Sequence, residues 1–243
     1  MSNILANKEI EKINKITLNK IKPNYELSFF LAKKDKIDYV YNTSALEGNA
    51  MTYPEVETLL DGITVGGHKL SDEQMVLNQN RSVNFLFDLI KENDFDLNKE
   101  IFLKLHNEVA KEEALKWGMF RDENIRIGGT EYLPPHFNNL NAIFLANYEQ
   151  LQKIDNPINR AITFFLLGAR NQYFYDGNKR TSRLMMNGEL LKNGYPIFNI
   201  KAKDKLEFNK TMLDYYDSNN IIIALKFLMA YYKNQNEQLQ VNL

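Results

Sequence analysis

Residues 172 to 183 read Gln-Tyr-Phe-Tyr-Asp-Gly-Asn-Lys-Arg-Thr-Ser-Arg, so three cations follow an Asp-Gly-Asn turn. The turn opens a helix whose apolar face is Leu184, Met185, Leu190 and Leu191, and which Gly194 and Pro196 end. Lys179, Arg180 and Arg183 therefore fall in its first turns, where the macrodipole is already positive. A bound anion removes that conflict. Backbone N–H groups converging in the Asp176-Gly177-Asn178 turn, with Arg180 and Arg183 on one helix face, describe a phosphate site. The alternative is that the arginines face solvent or pair with carboxylates elsewhere, as exposed charges commonly do. Asp176 favours the phosphate reading, because a carboxylate beside phosphate oxygens is a ligand Mg²⁺ takes readily.

A second local rule is broken in Thr43-Ser44-Ala45-Leu46-Glu47-Gly48-Asn49. Glu47 ends a helix just before a C′ glycine, so its negative charge also opposes the dipole. Two misplaced charges of opposite sign suggest an ion pair between Glu47 and one of the arginines of the turn.

The elements that must position these residues read as helices. Only 11 Gly and 6 Pro occur, and several sit where helices would start or stop. Thr52 with Glu55 makes a capping box for a short helix that Gly62 ends, and Ser71 with Gln74 makes another for a helix reaching about Glu92. Further helices are expected at 3–20, 25–47, 98–112, 139–153, 157–172, 178–193, 203–217 and 220–234. One segment resists this pattern. Ile125-Arg126-Ile127-Gly128-Gly129, followed by Tyr132-Leu133-Pro134-Pro135, suggests a short hairpin leaving a helical body, with a plain surface connection as the alternative.

Composition removes several classes. The 243 residues contain no Cys, which excludes a disulfide scaffold, a thiolate nucleophile and any Cys-built zinc site. A net charge of −1 gives no electrostatic footprint for nucleic acid. The N-terminus has no secretory pattern, and the apolar run Ile221 to Tyr232 is broken by Lys226 and too short to span a bilayer. A soluble cytoplasmic protein without membrane partners is expected.

The run from Gln172 to Arg183 resembles the signature of the Fic family, H-x-F-x-[DE]-G-N-[GK]-R-x-x-R, at every fixed position except the first. Thr43 to Asn49 is similar to that family's inhibitory motif, Ile63 to Asn78 to the segment that follows it, and Trp117 to Pro135 to its flap region. The resemblance implies an all-α Fic fold, a helical bundle with a short β-hairpin flap. It divides the chain into an N-terminal helical segment at 1–39, a core at 40–196 and a C-terminal helical extension at 197–243.

It also implies transfer of AMP from ATP, with Mg²⁺, to a hydroxyl side chain of a target protein. Asp176 would hold the metal, Phe174, Gly177, Asn178 and Lys179 would belong to the nucleotide cradle, and Arg180 and Arg183 would grip phosphates. Ile125, Arg126, Ile127, Gly128 and Gly129 would align an extended target segment by strand addition. Glu47, with Thr43, Gly48 and Asn49 around it, would belong to an inhibitory helix that keeps Arg183 from the γ-phosphate.

Gln172 departs from the family, standing at the position of the histidine that takes the proton of the attacking hydroxyl. A carboxamide cannot accept that proton near neutral pH, and losing a positioned base costs about 10² to 10⁴ in rate. His68, His106 and His136 read as surface or packing histidines rather than substitutes. The expectation is a nucleotide-binding protein whose transfer activity is weak or absent. The alternatives are a binding or regulatory module on the same fold, AMP removal, or another phosphate-containing substrate. Phe208, Met212, Tyr215, Tyr216, Phe227 and Tyr231 follow helical spacing and read as core, with a homodimer contact as a secondary expectation.

Overall fold

A computed structural model describes residues 3–18 and 21–241. Eleven α-helices form among the described residues, in the order α1 (Asn7–Asn14), α2 (Tyr25–Lys34), α3 (Lys36–Leu46), α4 (Tyr53–Leu60), α5 (Leu70–Lys91), α6 (Lys99–Ala110), α7 (Leu140–Leu151), α8 (Pro157–Asn171), α9 (Asn178–Lys192), α10 (Lys205–Ser218) and α11 (Ile221–Val241). The central pair is α8 and α9. Asn156 caps α8, its side chain accepting the Ile158 and Asn159 N–H groups, while Pro157 supplies a first-turn residue that needs no donor. The two helices cross so closely that a Cβ on Gly168 would lie 2.2 Å from the Ser182 hydroxyl. Around them packs one contiguous apolar cluster that includes Phe102, Phe165, Leu184, Leu190, Phe208 and Tyr232.

Helix α3 carries Glu47 just past its C-terminus and is clasped from the C-terminal side. Asn199 donates to Asp38 at 2.6 Å, Lys201 pairs with the same carboxylate, the Ala202 N–H donates to Asn42 at 2.8 Å, and Lys205 donates to the Ala45 carbonyl at 2.9 Å.

Several expectations change. The helix expected at 25–47 breaks at Asp35, because Lys33-Lys34-Asp35-Lys36 offers no apolar face to bury and the chain can change direction there. The helix expected at 3–20 covers only Asn7–Asn14, and its predicted end at 19–20 lies outside the described residues, as do residues 1–2 and 242–243 of the predicted terminal segments. The Thr52–Glu55 box forms, with Glu55 accepting the Thr52 N–H at 2.7 Å. The Ser71–Gln74 box does not, because α5 starts at Leu70 and Gln74 turns instead to Asn78 at 2.9 Å.

The β-hairpin flap is also absent, since no strand forms among the described residues. Pro134 and Pro135 have no N–H to give a ladder. Side chains take up the neighbouring backbone groups: Thr130 accepts from the Tyr132 N–H at 3.0 Å and Asn124 from the Phe137 N–H at 3.2 Å. No helix is long and apolar enough to cross a membrane among the described residues.

Candidate functional site

At the end of α8 the chain turns through Gln172, whose φ of 48° is left-handed, and then drops into the core. Phe174 is fully buried and lies flat on His106, with ring centroids 3.6 Å apart and planes 6° from parallel. It supports the turn from beneath. Asn178 closes the turn with its side chain, accepting the Phe174 N–H at 2.9 Å and donating to the Phe174 carbonyl at 2.8 Å and to the Gln172 amide oxygen at 3.0 Å. Gly177 has a φ of 73°, and a Cβ there would press within 3.2 Å of Val109.

His106 braces the outside of the turn. Its Nδ1 accepts the Gly118 N–H at 3.1 Å, which leaves Nε2 to donate to the Asp176 carbonyl at 3.0 Å. Burial pushes its pKa down to about 3, so it stays neutral with both nitrogens occupied and is a structural histidine. His68 pairs with Glu55, and His136 accepts the Asn138 N–H.

The start of α9 is open. The Gly177 N–H is taken by the Asp176 carboxylate, while those of Asn178, Lys179 and Arg180 meet no acceptor among the described residues. A carboxylate already reaches the side-chain cations beside them. Glu47 bridges Lys179 at 3.0 Å and Arg183 at 2.6 Å. Burial pushes its carboxyl up, but Arg183, Lys179 and Arg180 outweigh burial and hold the pKa at about 2. Arg183 is 1% exposed, and its Nε and Nη1 have no partner. Gly48 takes a φ of 97° just after Glu47, Thr43 is buried, and Asn49 ties this corner to α5 by donating to the Asp72 carbonyl at 2.8 Å.

Arg180 is engaged separately. It meets Glu113 at 2.8 Å and Asp176 at 3.6 Å. The Asp176 side chain is 63% exposed and borders an open cleft of about 490 Å³ lined also by Leu70, Gln74, Met75 and Glu113. A single accessible carboxylate beside free N–H groups suits a Mg²⁺ ion that arrives with a phosphate ligand and keeps most of its waters. No cluster of three or more metal-ligating residues exists among the described residues.

Gln172 is committed within the turn, its amide nitrogen donating to the Ala169 carbonyl at 2.6 Å and its oxygen accepting from Asn178. Its backbone carbonyl accepts from Arg121, a buried arginine that also donates to the Glu123 carbonyl at 2.6 Å and the Pro135 carbonyl at 2.5 Å. One guanidinium thus ties both arms of the 122–135 loop to the signature turn. Within that loop Arg126, Gly128 and Gly129 are exposed, Ile127 packs partly on the core, and Leu213 lies beneath Gly129.

Sequence reasoning missed Arg121, Asn78 and Glu113, whereas His106, expected as a surface or packing histidine, packs beneath the turn. Glu113 in particular sits in Lys-Glu-Glu-Ala-Leu-Lys, which reads as a solvated run.

The family model described as Fic/DOC family matches residues 96–190. Protein adenylyltransferase Fic of Drosophila melanogaster is 28% identical over 174 residues, 68% of this chain and 34% of that protein. The protein of the same name from Aedes aegypti is 27% identical over 172 residues, with the same shares covered. The chain thus spans about a third of the length of these curated relatives. Among solved structures, Fic-1 from C. elegans matches with a TM-score of 0.72 at 18% identity, covering 94% of this chain and 68% of that one. A Fic domain containing signaling protein from Bacteroides thetaiotaomicron matches at 0.69 with 23% identity, covering 96% and 93%. Those two likenesses show the fold.

Proposed function

We propose that the chain, whose residues 96–190 match the Fic/DOC family model, is a Fic-family protein that binds Mg²⁺-ATP at the start of α9 as an AMP transferase held off by Glu47 and impaired by Gln172. One observation carries the reading. A carboxylate bridges Lys179 and Arg183 beside three unpartnered N–H groups, where the oxygens of a phosphate would otherwise lie. The two unpartnered nitrogens of buried Arg183 support it further, since such donors are costly unless an oxygen arrives.

In the transfer, a hydroxyl oxygen of the target attacks the α-phosphorus of ATP, the bond from that phosphorus to the bridging oxygen breaks, and pyrophosphate leaves. Asp176 would hold a Mg²⁺ ion arriving with ATP, which would supply charge neutralisation for the phosphates. The protein contributes position and charge: the N–H groups of Asn178, Lys179 and Arg180 with the side chains of Lys179 and Arg180 hold phosphate oxygens, and Arg183 takes the γ-phosphate once Glu47 leaves. The 122–135 loop, tied to the turn by Arg121, would present the target segment. The hydroxyl proton has no acceptor at position 172 and must leave to water, so transfer is slow.

A nucleotide-binding module that does not turn over is the second reading, and the closed hydrogen bonding of the Gln172 amide favours it. Both predict ATP binding. They separate in self-labelling with labelled Mg²⁺-ATP by the unsubstituted chain, Glu47→Gly, Gln172→His and the double variant. Labelling confined to forms carrying Gln172→His, strongest in the double variant, supports an intact cradle lacking its base. Strong labelling by Glu47→Gly alone would overturn the account of Gln172, and no labelling by the double variant would leave the binding module.

A further inference from the structure

Arg180 is 2% exposed and therefore needs a partner that neutralises it. Glu113 provides one oxygen at 2.8 Å. Its other oxygen accepts from the Asn78 amide at 2.6 Å, and the same amide nitrogen donates to the Lys111 carbonyl at 2.8 Å. Asn78 is fully buried on α5, and its amide oxygen is occupied in turn by Gln74 and Arg81. Glu112, exposed and at a left-handed φ of 63°, turns the chain after α6 so that Glu113 points inward. Glu113 is thus a fixed partner, tied to a core helix at the oxygen that Arg180 does not use.

We propose that Glu113 is a positioning residue that aims the Arg180 guanidinium at the anion held by the turn, an inference that rests on the nucleotide-binding reading above. An arginine side chain has many rotamers, and a buried carboxylate on Nη1 selects one of them before any ligand arrives. The orientation selected leaves Nη2 on the Asp176 side, toward the cleft that Glu113 and Asp176 both line. Because Asn78 pins Glu113 to α5, the carboxylate cannot follow the guanidinium or withdraw from it. It acts on ligand affinity through the direction of Arg180.

The test is calorimetric titration of Mg²⁺-ATP into the full chain carrying Glu47→Gly, so that Lys179 and Arg183 are free, and into the same chain with Glu113→Gln, Arg180→Gln or both. Glu113→Gln is expected to weaken binding roughly tenfold, the scale of one misdirected charge-assisted hydrogen bond. In the presence of Arg180→Gln it has no further effect, because the residue it positions is gone. Asn78→Ala keeps the carboxylate but frees it from α5. That variant should weaken binding a few-fold, again only while Arg180 is present, and it carries the test if Glu113→Gln does not fold. Equal losses with and without Arg180, or no loss at all, overturn the proposal. Tighter binding by Glu113→Gln also overturns it, making Glu113 a competitor for Arg180. If the Glu47→Gly chain itself binds no Mg²⁺-ATP, the nucleotide reading falls in that arm, before any Glu113 variant is measured, and the proposal falls with it.

Discussion

Arg180 and Arg183 stand three residues apart on α9, both are buried, and each meets an acid within 2.8 Å. The acids differ in what else holds them. Glu113 is pinned by Asn78, whereas among the described residues the Glu47 carboxylate pairs only with the two cations, Lys179 and Arg183, and is 17% exposed at the C-terminal end of α3. The same bond chemistry therefore serves two purposes. A partner with anchors of its own belongs to the framework, and a partner held only by its counter-charges can be displaced by a stronger anion.

The largest effect that can break this comparison is on stability. Arg180→Ala leaves the largely buried Glu113 charge without its cation, with only the Asn78 amide on it, and should cost about 3–5 kcal/mol in urea unfolding. Arg183→Ala leaves Glu47 with Lys179 still in reach and should cost about 1–3 kcal/mol. Equal losses would remove the distinction.

The next effect is pH dependence. The Glu47 pKa falls from the usual 4.5 to about 2 on folding, so its ion pairs contribute stability that is complete above roughly pH 5 and lost as pH falls toward 2. That contribution is about 3 kcal/mol on the pKa difference alone. Glu47→Gln should flatten the acid limb of a stability-versus-pH curve by that order, and an unchanged acid limb would sink the assignment.

The smallest is Gly48→Ala. Its φ of 97° is strained for any side chain, while a Cβ there meets nothing nearer than Lys205 at 3.9 Å. The expected cost is about 1 kcal/mol. If Gly48 holds Glu47 in place, the same change should tighten Mg²⁺-ATP binding slightly, with no change in the Arg180 pair.

Glu47 and the signature arginines were legible in the sequence because each offends a local rule, a cation at a helix start or an anion at a helix end. Glu113 offends none. On an exposed turn it would be unremarked, and only the tertiary approach of α5 and α9 makes it a buried partner. Arg121 is hidden for the same reason, since its acceptors are carbonyls 2, 14 and 51 residues away. Most helices were readable from caps and breakers. The bend at Asp35 was not, because it follows from a lack of buried contact rather than from Pro or Gly. The hairpin expected at 125–135 failed because apolar alternation around Gly-Gly marks where strands can run, while two prolines and capping side chains decide whether they pair.

The crossing of α8 and α9 at Gly168 and Ser182 leaves no room for a methyl group, so neither helix can slide to re-aim the turn between them. Change at this site must come by exchanging side chains in a fixed frame. Codons for Gln and His differ only in the third base, so a single point mutation would put a proton acceptor at position 172, on a backbone already bent to its left-handed geometry.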